Sequence, residues 1–152
     1  MKALLIKKTK EIPATSVKKE YVRFDFEEVN TNGLDDMQEA VEGTIEGWNC
    51  IPELIKNSIV LYCNDEGKLL NMLPAVIVLG RPVGKPVEEK IIIEQLCGNI
   101  LLCGYDFESD RSVDLSETQM EIIRRVFRKA FYYTDTLNID GFAVEVEVKD
   151  DA

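Results

Sequence analysis

Between Val41 and Gly104 three short turn-rich signatures recur between apolar runs. They are Val41-Glu42-Gly43-Thr44-Ile45-Glu46, Asn64-Asp65-Glu66-Gly67-Lys68-Leu69 with Leu73-Pro74 behind it, and Cys97-Gly98-Asn99-Ile100-Leu101-Leu102-Cys103-Gly104. Each marks a place where backbone geometry selects the residue: Asn and Asp bond their own backbone, and glycine accepts the positive φ that turns impose. Short apolar runs punctuated this way read as strands joined by turns. The expectation is an α+β fold, a mostly antiparallel sheet with two helices at about 33–43 and 117–133. Residues 1–133 form one compact domain, and 134–152 form a C-terminal extension with an added strand at 142–149.

Along the chain, Ala3–Ile6 and Tyr21–Phe26 read as two strands closed into a hairpin around Pro13. Thr31 or Asn32 is placed to cap a helix whose Leu34, Met37 and Val41 share one face, with Asp35 and Asp36 in its first turn. Gly43 follows as a left-handed stop. Strands are expected over Thr44–Cys50, Ser58–Cys63, Ala75–Leu79, Lys90–Ile93 and Asn99–Cys103, with an irregular piece near Pro52. Gly80–Pro86, with two glycines and two prolines, reads as a mobile loop. Ser116 and Gln119 make a capping box for a helix over Glu117–Tyr133. Its apolar stripe is Met120, Ile123, Phe127, Ala130 and Phe131, and Arg124, Arg125, Arg128 and Lys129 project from the opposite side. Phe142–Lys149 alternates strictly, so this strand must cover either its own sheet or a neighbour's by exchange. The protein is accordingly a monomer or a strand-exchanged dimer, with pairing inside one chain expected first.

The 152 residues suffice for one domain that buries roughly two thirds of its unfolded surface. An apolar share of 45% and a charged share of 30% suit a soluble globular protein. No apolar run approaches the ~20 residues that span a bilayer. Met1–Lys10 is too short and charged for a signal peptide, so a cytoplasmic protein is expected. Cys50, Cys63, Cys97 and Cys103 lack the spacing of a zinc or redox motif and are expected as buried, reduced thiols. The net charge of −10 is polarised: residues 1–23 hold seven cations against two carboxylates, leaving fifteen negative charges in excess on the remainder. Such a surface disfavours general nucleic-acid binding.

The three signatures, in this order and followed by Leu115-Ser116-Glu117-Thr118-Gln119, resemble a family known as domain of unknown function 3846. Met1–Ile6 is similar to its opening strand. The resemblance covers most of residues 1–132. Gly47–Asn57 stands out as extra material, and 134–152 extends past the family's usual end. The resemblance implies a phage or mobile-element setting in a bacterial host. It implies no activity, catalytic residue or cofactor.

The chain has no histidine, so His-based triads and the usual general base at neutral pH are absent. Asp106, Glu108, Asp110, Asp114 and Glu117 fall at positions 1, 3, 5, 9 and 12 of a calcium-loop template. Arg111 replaces its obligatory glycine, so a solvated acidic loop is the expectation and no metal is assigned. Arg124, Arg125, Arg128 and Lys129 form the densest cationic patch outside the N-terminal region, suited to a phosphate backbone or an acidic partner, or simply to the helix dipole, the chain's own acids and solvent. Trp48, the only tryptophan, is either an interface anchor or part of the core. The expected function is that of a non-enzymatic accessory protein of a phage or mobile element, acting on an unknown protein partner. The alternatives are an acidic inhibitor that imitates nucleic acid, a small-ligand module with Gly80–Pro86 as its lid, and a carboxylate-based enzyme.

Overall fold

The computed structural model describes residues 1–84 and 90–148. Thirteen elements follow one another: β1 (Lys2–Ile12), β2 (Glu20–Asn30), α1 (Leu34–Val41), β3 (Ile45–Gly47), α2 (Pro52–Lys56), β4 (Ile59–Asn64), β5 (Pro74–Pro82), β6 (Ile91–Cys97), β7 (Ile100–Asp106), β8 (Arg111–Val113), α3 (Glu117–Val126), β9 (Arg128–Tyr133) and β10 (Leu137–Val148). Ten strands form one curled sheet in the order β3-β4-β7-β1-β2-β10-β5-β6, with β8 on β7 and β9 on β10.

The sheet is mixed, which corrects the expectation of a mostly antiparallel one. β10 runs parallel to β2 over residues 137–140 and parallel to β5 over 142–148. Parallel neighbours need long crossovers, and most of the chain lies between β2 and β10. β9 pairs antiparallel with 138–143. A strand has two edges, so β9 occupies one while β2 and β5 share the other in succession. The changeover falls at Gly141, where a Cβ would stand 2.6 Å from the carbonyl oxygen of Ala75. The strand expected at 142–149 therefore begins earlier and lies inside the sheet, and Lys149 falls outside the described residues.

Strands β1, β4 and β7 read as unbroken apolar runs because both their faces are covered. Leu4, Ile6, Leu61, Ile100 and Leu102 face the larger core with α2 and α3, which supply Leu54, Met120 and Ile123. Ala3, Leu5, Val60, Leu101 and Cys103 face a smaller one under α1, with Met37 and Val41. β10 alternates instead: Phe142, Val144 and Val146 are buried while Glu145 and Glu147 are exposed.

Among the described residues there are three helices rather than two. The third, α2, starts on Pro52, whose fixed φ and missing N–H suit the first helical position. The capping box on α3 forms as expected: Gln119 N–H donates to Ser116 Oγ (3.1 Å), and Ser116 N–H donates to Gln119 Oε1 (2.9 Å). The helix ends at Val126, however, and Arg128–Tyr133 is a strand. Phe127 remains in the core, while Phe131 is exposed. Aromatic residues favour strands, and here the β10 ladder outweighs a stripe that also fits helical spacing.

Neither Thr31 nor Asn32 caps α1; the capping position is Gly33 (φ 87), and Asp36 accepts the Asn32 N–H (2.6 Å). The left-handed stop is Glu42 (φ 62), not Gly43. Glycine is required at 43 because the side-chain amide of Asn64 fills the space a Cβ would take. That amide donates to the carbonyls of Val41 (3.3 Å) and Glu42 (3.1 Å), and Asn64 Oδ1 accepts Glu66 N–H (2.8 Å). Asn99 donates to Ala40 O (3.1 Å) and accepts Lys8 N–H (3.2 Å). The three turn signatures thus meet at one point, where two buried asparagines satisfy the carbonyls left open at the end of α1.

Candidate functional site

An open groove lies where β2 parts from β10. Beyond Arg23, β2 loses β10 as a neighbour, and the Phe24 carbonyl accepts from Lys129 Nζ (2.7 Å) in place of a strand amide. Lys129 reaches this point from β9 across the ring of Phe142 (4.7 Å to the centroid). Phe142 packs on Phe26 (4.7 Å between centroids), and Phe26 meets Phe127 edge to face (6.4 Å). Arg124, in the last turn of α3, stands over Phe26 at 5.7 Å. The result is a groove of about 560 Å³, floored by Phe26, Phe127 and Phe142 and rimmed by Arg23, Arg124, Arg128 and Lys129.

Three carboxylates hold this rim in place, Glu28 lying 3.8 Å from Arg124 and the other two gathering at Arg23 and Lys129. Asp140 pairs with Lys129 (3.1 Å) and lies 4.0 Å from Arg23, while Asp25 lies 3.0 Å from Arg23 and 3.7 Å from Lys129. Burial pushes the Asp25 carboxyl up, but hydrogen bonds from Thr9 and Arg23 and the charges of Lys129 and Arg23 outweigh it. The group sits below its ordinary value. Tyr21, which donates to Asp140 (3.3 Å), is pushed up by burial and by that carboxylate. Arg128 has no ion pair among the described residues, although Glu145 and Glu147 border it on its other side, so the rim keeps a cation free of direct pairing above an apolar floor. Cations so placed bind carboxylates, and the floor suits an aromatic or aliphatic side chain.

The four cations expected on one helix face are therefore split. Arg124 and Arg125 end α3, and Arg128 and Lys129 begin β9. Arg125 turns away to Glu53 (3.6 Å) and lines a neighbouring groove of about 490 Å³, where Glu53, Glu145 and Glu147 balance it and Arg128. Phe26, Phe142, Asp25 and Asp140 completed the site without being singled out in the sequence, since they come from two strands more than a hundred residues apart.

The calcium-template residues do not converge. Asp106 accepts from Glu108 N–H (3.0 Å) and Ser109 Oγ (2.9 Å) in the β7–β8 turn, and Asp110 accepts from the Tyr105 hydroxyl. Asp114 accepts the Lys2 N–H (2.6 Å), and Glu117 pairs with Lys2 Nζ (2.7 Å). No group of three metal-ligating side chains gathers among the described residues. Trp48 is half-buried against the larger core and lines a groove with Glu46, Lys68 and Cys97. Cys63 and Cys103 are buried, and burial pushes their thiols up to about 11 and about 12. Cys97 is half-buried, and Cys50 is exposed, contrary to expectation. Of the expected Gly80–Pro86 loop, residues 80–82 continue β5, 83–84 turn, and 85–86 lie outside the described residues. Among the described residues no helix is long and apolar enough to cross a membrane.

Residues 1–128 match a family described as a domain of unknown function (DUF3846). No curated protein and no solved structure matches the chain. The match takes in all three turn signatures, α1 and α3. It ends at Arg128, just before Lys129, Asp140 and Phe142 complete the groove.

Proposed function

The chain belongs to the DUF3846 family, and we propose that it is a non-enzymatic accessory protein of a phage or mobile element that acts through contact with another protein in the bacterial cytoplasm. The contact surface in this reading is the groove where β2 and β10 part, and its occupant is an acidic segment carrying an aromatic or aliphatic anchor. One observation carries it: Lys129 and Arg124 are held over Phe142 and Phe26, beside an Arg128 without an ion pair among the described residues. On a chain of net charge −10, a cationic rim over a part-exposed Phe26 and the buried rings beneath it selects against most of the protein's own kind of surface and for the opposite charge.

The imitation of nucleic acid is the second reading. Glu39, Glu42, Glu46, Asp65 and Glu66 gather around the end of α1 and have no ion pair among the described residues. Among the described residues ten other carboxylates are each matched to a cation, which reduces the charge available for such imitation.

A fluorescein-labelled peptide of alternating Glu and Phe tests the first reading by anisotropy. The expected result is saturable binding in the micromolar range, weakened by salt. The Arg124→Glu/Arg128→Glu double variant should bind at least about tenfold less tightly, while Lys10→Glu, on the exposed end of β1, should bind as the parent does. Equal binding by the double variant, or none by the parent, sinks the reading.

A further inference from the structure

Beside the smaller core the sheet opens into a groove of about 370 Å³, walled by Tyr62, Tyr105 and Phe107 with Val60 and Ile55 next to them. Strand alternation brings the rings together. Tyr105 follows Leu101 and Cys103 on one face of β7, and Tyr62 shares that face from β4, where it pairs with Leu101. The Tyr62 hydroxyl bonds to that of Ser112 (2.7 Å), which lies opposite Tyr105 on β8. Phe107, just past β7, is 61% exposed and rests on Tyr105, with centroids 5.0 Å apart and planes at 67°. Such an edge-to-face contact covers at most one of the four ring faces, so each ring keeps a face to offer. Among the described residues Asp110 is the one charged side chain that lines the groove. It accepts from the Tyr105 hydroxyl, which holds the carboxylate beside the rings. By alternation, Arg111 falls on the opposite side of β8 from Ser112.

We propose that this groove binds a small molecule through a quaternary ammonium group, held against the faces of Tyr62, Tyr105 and Phe107 beside Asp110. The argument is charge and hydration. Aromatic faces carry negative potential and attract a cation placed over them. The carboxylate adds a full opposite charge, and the field of a chain of net charge −10 draws cations towards it. A primary ammonium brings three N–H donors and a strong hydration shell, which walls of rings do not replace. A quaternary ammonium has no donor to leave unpaired, and its methyl groups pack on apolar surface. The volume is that of a site for a small compound. This groove shares no lining residue with the one where β2 and β10 part, so the proposal stands apart from the acidic-peptide reading.

Titration of the full chain with choline, followed by heteronuclear NMR, tests this. Saturable shift changes are expected at Tyr62, Tyr105, Phe107 and Asp110, with a Kd of about 10 mM or lower. The neutral carbon isostere 3,3-dimethyl-1-butanol has the same shape without the charge and should bind at least about tenfold less tightly. Phe107→Ala and Asp110→Asn should each weaken choline at least about fivefold. Both should keep the circular dichroism spectrum of the parent, since Phe107 is exposed and Asn tolerates the left-handed backbone of Asp110 (φ 55). A peptide with trimethyllysine and vesicles of phosphatidylcholine present the same group on a protein and on a lipid, and neither should bind more tightly than choline. The proposal is overturned if choline shifts none of these residues up to about 100 mM, if the isostere binds equally, or if both folded variants bind as the parent does. Binding of the peptide or the vesicles at least about tenfold tighter than choline overturns the assignment to a small molecule.

Discussion

Two regions of this molecule solve one problem in opposite ways. At the end of α1 and at the parting of β2 from β10, backbone carbonyls lose their regular partners and side chains take over. At α1 the substitutes are Asn64 and Asn99, neutral and buried. At the parting it is Lys129, charged and 42% exposed, with arginines and aromatic rings around it. A buried amide reaching two or three backbone groups fastens one geometry and leaves nothing for a ligand. An ammonium in an open groove satisfies a carbonyl and still presents its charge. Residue chemistry that looks equally structural in a sequence therefore divides, in space, into a fastening and an exposed surface.

The largest expected effect tests the fastening. Asn64→Ala strips partners from the Val41 and Glu42 carbonyls and from the Glu66 amide, and it should cost about 3 kcal/mol in urea unfolding; a loss below about 0.5 kcal/mol would show that the groups find water instead. Next comes the seam. Gly141→Ala drives a Cβ against the Ala75 carbonyl and should destabilise by about 2 kcal/mol, with amide exchange rising first in β5, β9 and β10. Unchanged stability would mean that the strands part more loosely there than described.

Lys129→Met should cost only about 1 kcal/mol, given its exposure, yet weaken binding of the acidic peptide. That combination separates the two regions, since Asn64→Ala should leave binding by the folded fraction intact. The smallest effect is in pH. Asp25 titrates below its ordinary value in the folded state, so the stability it contributes is fully present above about pH 4 and is lost as pH falls through the lower folded value. The difference in Tm between the parent and Asp25→Asn should accordingly shrink from neutral pH to about pH 2.5. A difference that grows on acidification would reverse the sign of the argument.

What the sequence showed of this fold follows the same division. β1, β4 and β7 were legible because burial on both faces leaves apolar runs that have no other use, and Ser116 and Gln119 announced α3 through a local bond. The signatures at Gly43, Asn64 and Asn99 were visible as turns, but their meeting was not, because it depends on contacts across the sheet. Arg128–Tyr133 misled for a physical reason: Phe127, Ala130 and Phe131 continue a helical stripe, and only pairing with 138–143 makes them a strand. The parallel setting of β10 left no local trace either. Of the groove, the cations stood out and their aromatic floor did not, since Phe26 and Phe142 look like ordinary alternating strand residues.

The most direct test is a heteronuclear NMR titration of the full chain with the alternating Glu and Phe peptide. The account predicts shift changes concentrated at Phe26, Arg124, Arg128, Lys129 and Asp140, with Asn64 and Asn99 unmoved. Changes centred on the end of α1, or spread without focus, would contradict it.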